Sequence, residues 1–154
     1  RTYPAGKKAF VQDMNRKAEA LGYTNVKVFA KGFPEWMKQE GHYASVSVDW
    51  VKKNLGSETD MVLVDSRPKR AKFDKGHIPG AVNRPWQAVT DEDGRILPPD
   101  ALGALFGDLL EHDALVVYCG SGVTACVNLF ALALLGREDP QLYPGSWSDW
   151  CSHL

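Results

Sequence analysis

Val116-Val117-Tyr118-Cys119-Gly120-Ser121-Gly122-Val123-Thr124-Ala125-Cys126 holds a strand end, a tight loop and the start of a helix. Three apolar, strand-forming residues deliver Cys119 onto a Gly/Ser loop, and an apolar run from Val127 to Leu135 follows at helical spacing. Such a strand–loop–helix turn points successive backbone N–H groups inward and sets the positive end of a helix beneath the cysteine. Both features favour the thiolate, which is the nucleophilic form. Gly120 and Gly122 let the loop close, because glycine tolerates positive φ. A buried small hydrophobe is the bland alternative for any free cysteine. It does not account for a cysteine set on a glycine-rich loop, so Cys119 is expected to be a reactive anion in a cradle.

Outward from this loop the chain alternates strands and helices. The spacing predicts a helix over Lys8–Leu21 stopped by Gly22, and a strand at Val26–Phe29. A loop at Gly32-Phe33-Pro34 leads to a helical turn ending near Gly41. An extended piece at Ala44–Ser47 precedes a helix over Val48–Leu55, with Ser47 as N-cap and Gly56 as stop. Met61–Val64 reads as a strand buried on both faces. A charged helical turn at Lys69–Lys75 and a strand at Ala81–Asn83 come next. A helix over Pro99–Leu110, a strand over Leu115–Tyr118, a helix over Val123–Leu135 and a short strand at Leu142-Tyr143 complete the pattern. Alternation of this kind predicts a parallel α/β sheet flanked by helices. The site of such a sheet lies outside the carboxyl ends of its strands. Cys119 and Asp65-Ser66-Arg67 both stand there.

Composition narrows the classes. An apolar fraction of 44% and a charged fraction of 24% are those of a globular protein of one domain, with room for an appendage. No apolar run reaches membrane-spanning length, and the N-terminus lacks a signal-peptide pattern. A cytoplasmic location is expected, or a periplasmic one if a leader was removed before Arg1. Three cysteines cannot all pair, which fits a thiol kept free for chemistry. Charge is uneven: fifteen basic side chains face nine acidic ones in residues 1–82, and three face ten in residues 83–154. The lysines are scattered singly among acids, as on solvated helix faces, so no nucleic-acid or membrane partner is expected. Four histidines and three cysteines are too dispersed for a zinc site, and no metal is expected.

Four motifs occur in one order: Asp65-Ser66-Arg67, Gly76-His77-Ile78-Pro79-Gly80-Ala81, Cys119-Gly120-Ser121-Gly122-Val123-Thr124 and Gly145-Ser146-Trp147. With this order and spacing, about residues 44–154 resemble the rhodanese-like sulfurtransferases. The cysteine loop is most similar to that of the 3-mercaptopyruvate sulfurtransferases. Thiosulfate sulfurtransferases usually carry basic residues where Gly120 and Ser121 stand. The resemblance implies a rhodanese-like parallel sheet and a transferase without cofactor that forms a persulfide on Cys119. It also implies mercaptopyruvate over thiosulfate as donor, and cyanide, a thiol or a thioredoxin-type protein as acceptor.

Within that resemblance the site residues take roles. Backbone N–H groups of Gly120, Ser121, Gly122, Val123 and Thr124 would hold the thiolate and then the persulfide. The hydroxyls of Ser121 and Thr124 could donate to the leaving group or its oxyanion. Arg67 would orient the donor carboxylate through a bidentate pair, against the bland reading of a surface ion pair. Asp65 is expected to hold nearby loops as an acceptor, and His77 to fix a turn. Arg84, Arg70 and Lys72 are further candidates for anion binding, and Trp147 for a pocket wall. Cys126 is expected in the core, and Cys151 to be incidental near a frayed C-terminus.

Residues 18–36 resemble the closing half of a second such repeat, with Pro4 where its cysteine would be expected. Val26-Lys27-Val28-Phe29 with Gly32 and Trp36 echoes Leu142-Tyr143 with Gly145 and Trp147. The expected organisation is a partial, non-catalytic half-module over 1–43 and a catalytic domain over 44–154. The chain would then be a recombined or truncated form of a tandem sulfurtransferase. The apolar side chains of the half-module would pack on the complete domain or on a second copy, making residues 1–42 a route to a homo-oligomer. Two other classes compete. A phosphatase with a similar cradle needs an arginine six residues after its nucleophile, where this chain has Ala125. A sulfur carrier or interaction module would accept persulfide without turning over a free donor.

Overall fold

The computed structural model describes residues 45–58, 60–137 and 139–154, together with Arg16, Glu19, Ala20, Gly22 and Thr24. The chain divides into two compact units, Arg1–His42 and Tyr43–Leu154. In the first, Arg16, Glu19 and Ala20 are helical. Gly22 takes φ +91° and donates its N–H to the Glu19 carbonyl at 3.0 Å. That is the stop expected of a glycine after a helix. The expected strand at Val26–Phe29 and the half-module reading lie outside the described residues.

In the second unit four strands form one parallel sheet in the order β2-β1-β3-β4. They are β1 (Met61–Asp65), β2 (Val82–Asn83), β3 (Ala114–Tyr118) and β4 (Gln141–Leu142). Ser45 adds a parallel bridge to Leu142 beyond β4. The helices are α1 (Val48–Asn54), α2 (Pro99–Phe106), α3 (Ala125–Leu134) and α4 (Ser146–Ser152). β3 alternates its side chains between two cores, as a strand covered on both faces must. Leu115 and Val117 join Leu102 and Phe106 of α2 and Leu129 and Leu132 of α3 on one face. Val116 and Tyr118 join Val51 of α1 and Trp150 of α4 on the other. Register aligns Asp65 with Asn83 and with Tyr118, so β1, β2 and β3 end together at one carboxyl edge.

Local signals place most element ends. Ser47 caps α1 by accepting from the Trp50 N–H at 3.2 Å, and Gly56 follows at φ +72°. Four expectations change. The helix from Pro99 stops at Phe106 and tightens into a 3-10 turn at Gly107–Leu109. The helix after the loop begins at Ala125, leaving Val123 and Thr124 in the loop. The charged segment 69–75 becomes a 3-10 helix only at Phe73–Lys75. The C-terminal stretch, expected to fray, is helix α4.

Candidate active site

Tyr118 and Cys119 are buried, so the loop opens directly from the core, and Cys119 is 2% exposed. Burial is the largest influence on its thiol and pushes the pKa up. The Thr124 hydroxyl and the backbone N–H groups of Ser121, Ala125 and Gly122 bond the sulfur and outweigh it, holding the thiol below its usual range. The donor from Ala125 is the first N–H of α3, a group with no partner inside its own helix. Of the two loop glycines only Gly122 takes positive φ, +85°; the expectation that both would is corrected at Gly120. A Cβ on Gly122 would lie 2.6 Å from the Pro144 carbonyl oxygen. The loop is therefore pressed against the turn that follows β4.

That turn grips the loop from behind. The Cys119 N–H donates to Ser146 Oγ at 3.1 Å, and the Ser146 hydroxyl donates to the Tyr143 carbonyl at 2.9 Å. The Trp147 N–H donates to the Cys119 carbonyl at 3.0 Å. The Ser148 N–H and hydroxyl both donate to the Gly120 carbonyl, at 3.1 and 2.8 Å. Ser146 is fully buried and sits at φ +56°, a region that costs a non-glycine residue about 1 kcal/mol or more.

Arg67 leaves the edge of the sheet and turns back onto Asp65. Its Nε lies 3.0 and 2.9 Å from the two carboxylate oxygens, and its Nη2 lies 2.6 Å from Oδ2. Nη2 also donates to the Gly76 carbonyl at 2.8 Å, and the guanidinium stacks on the Trp147 ring at 4.6 Å. Burial pulls the Arg67 pKa down, but Asp65 more than offsets it and the charge is kept. Arg67 is 5% exposed. The carboxylate it holds is thus the chain's own, where the sequence pointed to a donor's carboxylate. The physical reason is that residues two apart at a strand end fall on one side. Trp147, expected to wall a pocket, covers this ion pair.

The remaining candidates lie apart. Arg84 donates to the Leu105 carbonyl at 2.6 Å, to the Asn83 carbonyl at 3.1 Å and to Asp108 Oδ2 at 2.5 Å. It borders a cavity of about 450 Å³ with Pro85, Val89 and Phe106, and its charge is already paired. Arg70 and Lys72 are exposed. His77 stacks on Phe73 with ring centres 3.9 Å apart and bonds the Phe73 carbonyl through Nδ1 at 3.1 Å. Cys126 is exposed rather than core, and its thiol donates to the Gly122 carbonyl at 3.5 Å. Partial desolvation of the thiol against the loop, then the neighbouring Cys119 charge, raise its pKa. Cys151 is exposed on α4.

Three residues escaped the sequence. Asn128 is fully buried on α3 and donates to Ser66 Oγ at 2.9 Å and the Arg84 carbonyl at 2.7 Å. It ties the ends of β1 and β2 to the helix behind the loop. A lone Asn in an apolar helical run was the available signal. Ser146 was visible only as a member of the Gly145-Ser146-Trp147 motif, and Ser148 stands just beyond it with no signal of its own.

The family model described as the rhodanese-like domain matches residues 47–153. A putative thiosulfate sulfurtransferase, SseB, of Mycobacterium tuberculosis is 36% identical, over 86% of this chain and 57% of its own length. The 3-mercaptopyruvate sulfurtransferase of Escherichia coli K12 is 41% identical, over 60% of this chain and 37% of its own. Among solved structures, SseA from Escherichia coli, a 3-mercaptopyruvate sulfurtransferase described with the rhodanese fold, superposes with a TM-score of 0.58 at 38% identity. That superposition covers 68% of this chain and 42% of the other. The chain spans little more than half the length of the mycobacterial relative.

Proposed function

The chain belongs to the rhodanese-like domain family, and on that premise we propose that it is a sulfurtransferase with Cys119 as its nucleophile. One arrangement carries the reading: a buried cysteine just past the carboxyl end of β3, on the tight loop before α3, where the Thr124 hydroxyl and neighbouring N–H groups pull its pKa down against burial. A thiolate so placed can attack the outer sulfur of a donor. With 3-mercaptopyruvate the new bond joins Cys119 Sγ to the donor sulfur while the donor's C–S bond breaks. The electron pair leaves as the pyruvate enolate, which takes a proton. With thiosulfate the S–S bond breaks and sulfite leaves. Either way Cys119 becomes a persulfide, a covalent intermediate. The donors that hold the thiolate also suit the anionic outer sulfur.

Mercaptopyruvate is favoured as donor, since Gly120 and Ser121 offer no cation to a dianion. Relatives bearing both the mercaptopyruvate and the thiosulfate name support this class of donor. The donor's carboxylate is assigned to the exposed Ser121 hydroxyl, because Arg67 already holds Asp65 and the Thr124 hydroxyl faces the sulfur. An acceptor such as cyanide, a small thiol or a thioredoxin-type dithiol then attacks the outer sulfur and returns the thiolate.

The test is mass spectrometry of the protein after incubation with each donor, alongside a cyanide-coupled turnover assay. One added sulfur on the Cys119 peptide, absent in Cys119→Ser, is expected together with turnover. An adduct without turnover would make the protein a sulfur carrier, and full activity in Cys119→Ser would overturn the reading.

A further inference from the structure

Among the described residues, Ser146 is the one position other than glycine with positive φ, and it is fully buried. Its hydroxyl oxygen accepts from the Cys119 N–H at 3.1 Å while its proton goes to the Tyr143 carbonyl at 2.9 Å. One side chain therefore joins the ends of two neighbouring strands, β3 and β4, at the residue that carries the thiol. We propose that Ser146 is a positioning residue for Cys119, setting the direction of its Cα–Cβ bond and so the fit of the sulfur into its cradle. The proposal rests on the sulfurtransferase reading above.

The geometry supplies the argument. The direction of a side chain is fixed by its own backbone N and C atoms. At Cys119 both flanking peptide groups are pinned from one segment: the N–H by Ser146 Oγ and the carbonyl by the Trp147 N–H. Pinned so, Sγ meets the Thr124 hydroxyl and the N–H groups of Ser121, Gly122 and Ala125, whereas the Cys119 N–H itself points to Ser146. A turn that needed only the backbone shape would be better served by glycine, which adopts this φ without strain. Keeping serine there retains the hydroxyl at a conformational cost, and the hydroxyl's two partners are the loop and the strand behind it.

Two substitutions separate backbone from hydroxyl. Ser146→Gly keeps the backbone and loses the oxygen; Ser146→Thr keeps the oxygen and strains the backbone further. Both are made in a Cys126→Ser, Cys151→Ser background, since Cys119 and Cys126 share one tryptic peptide between Arg95 and Arg137. The readouts are melting temperature, the pH midpoint of Cys119 alkylation by iodoacetamide, and the single-turnover rate of persulfide formation from 3-mercaptopyruvate. Ser146→Gly is expected to melt close to its background protein, relief of the positive-φ strain offsetting the two lost hydrogen bonds. Its alkylation midpoint should move up toward an ordinary thiol, and its persulfide rate should fall about tenfold. Ser146→Thr is expected to melt lower yet keep the parent's midpoint. If Ser146→Gly alkylates with the parent's midpoint and rate, Ser146 serves the turn alone and the proposal is overturned, whether or not Ser146→Thr folds. If the parent takes up no sulfur, the sulfurtransferase reading fails instead, and the alkylation arm still judges Ser146.

Discussion

Arg67 and Asp65 meet fork to fork inside the protein, Nη2 to Oδ2 at 2.6 Å, with side chains 6% and 0% exposed. Removing one partner of a buried pair leaves an uncompensated charge, which costs about 3–5 kcal/mol. Asp65→Ala is therefore expected to destabilise the protein by that order in urea unfolding. The apolar double substitution Asp65→Leu, Arg67→Met should cost clearly less than the two single changes added. Arg67→Ala separates the two roles open to this residue. A large loss of stability with little change in KM fits the ion pair seen here. Intact stability with a raised KM would return Arg67 to the donor carboxylate.

The depressed pKa of Cys119 has consequences for both reactivity and stability. Thr124→Ala removes one donor to the sulfur and should raise the pH midpoint of Cys119 alkylation. For stability the sign follows from proton counting. Between the folded pKa and that of an ordinary thiol, the unfolded chain holds the proton that the folded chain has lost. Stability should thus rise with pH across that window and be lost as pH falls through the folded value. The rise is to be measured by chemical denaturation in Cys126→Ser, because the raised pKa of Cys126 works in the opposite sense. Cys119→Ser should flatten it.

Donor choice is expected to turn on residue 121, which is exposed at the loop where an ammonium would meet a dianion. The parent should show the higher kcat/KM with 3-mercaptopyruvate. Ser121→Lys should shift the ratio toward thiosulfate by roughly tenfold, the worth of one charge-assisted hydrogen bond of about 1.5 kcal/mol. Parallel cyanide-coupled assays with both donors would read this ratio directly. A parent that prefers thiosulfate contradicts the assignment.

How far the sequence could be read depended on whether a signal was local. The Cys119 loop was legible because strand formers, glycines and an apolar helical run stand side by side. Ser47 and Gly56 marked the ends of α1 for the same reason. Cys126 was misplaced because α3 contains no charged residue, so periodicity could not say which face is buried. Phe130 and Leu134 on that helix are 50% and 47% exposed. Helix α4 was missed because Pro144-Gly145 reads as a turn and Ser146, Ser148 and Ser152 are weak helix formers. Its start is held by distant partners, the carbonyls of Cys119 and Gly120, and no window around residue 146 contains them. Arg67 was read toward a ligand because the sequence could show its place at the strand end but not the turn of its side chain onto Asp65.

Gly122 offers the sharpest test of how the loop is held. It sits at φ +85°, and a Cβ there would lie 2.6 Å from the Pro144 carbonyl oxygen and 3.1 Å from its Cα. The listener to that clash is backbone, so no side chain can rotate away. Gly122→Ala therefore combines the cost of positive φ, about 1 kcal/mol, with a forced separation of the loop from residue 144. Ser121 and Gly122 supply two of the N–H groups at the Cys119 sulfur, so moving Gly122 moves half of the cradle. The variant should unfold at lower denaturant, and its Cys119 alkylation midpoint should rise, with the rate of sulfur transfer falling by more than tenfold. Gly120→Ala is the control, because its φ is ordinary and a Cβ there meets nothing within 4 Å. That control should keep the parent's stability and alkylation midpoint. Equal behaviour of the two alanine variants would mean that the contact with Pro144 does not set the cradle.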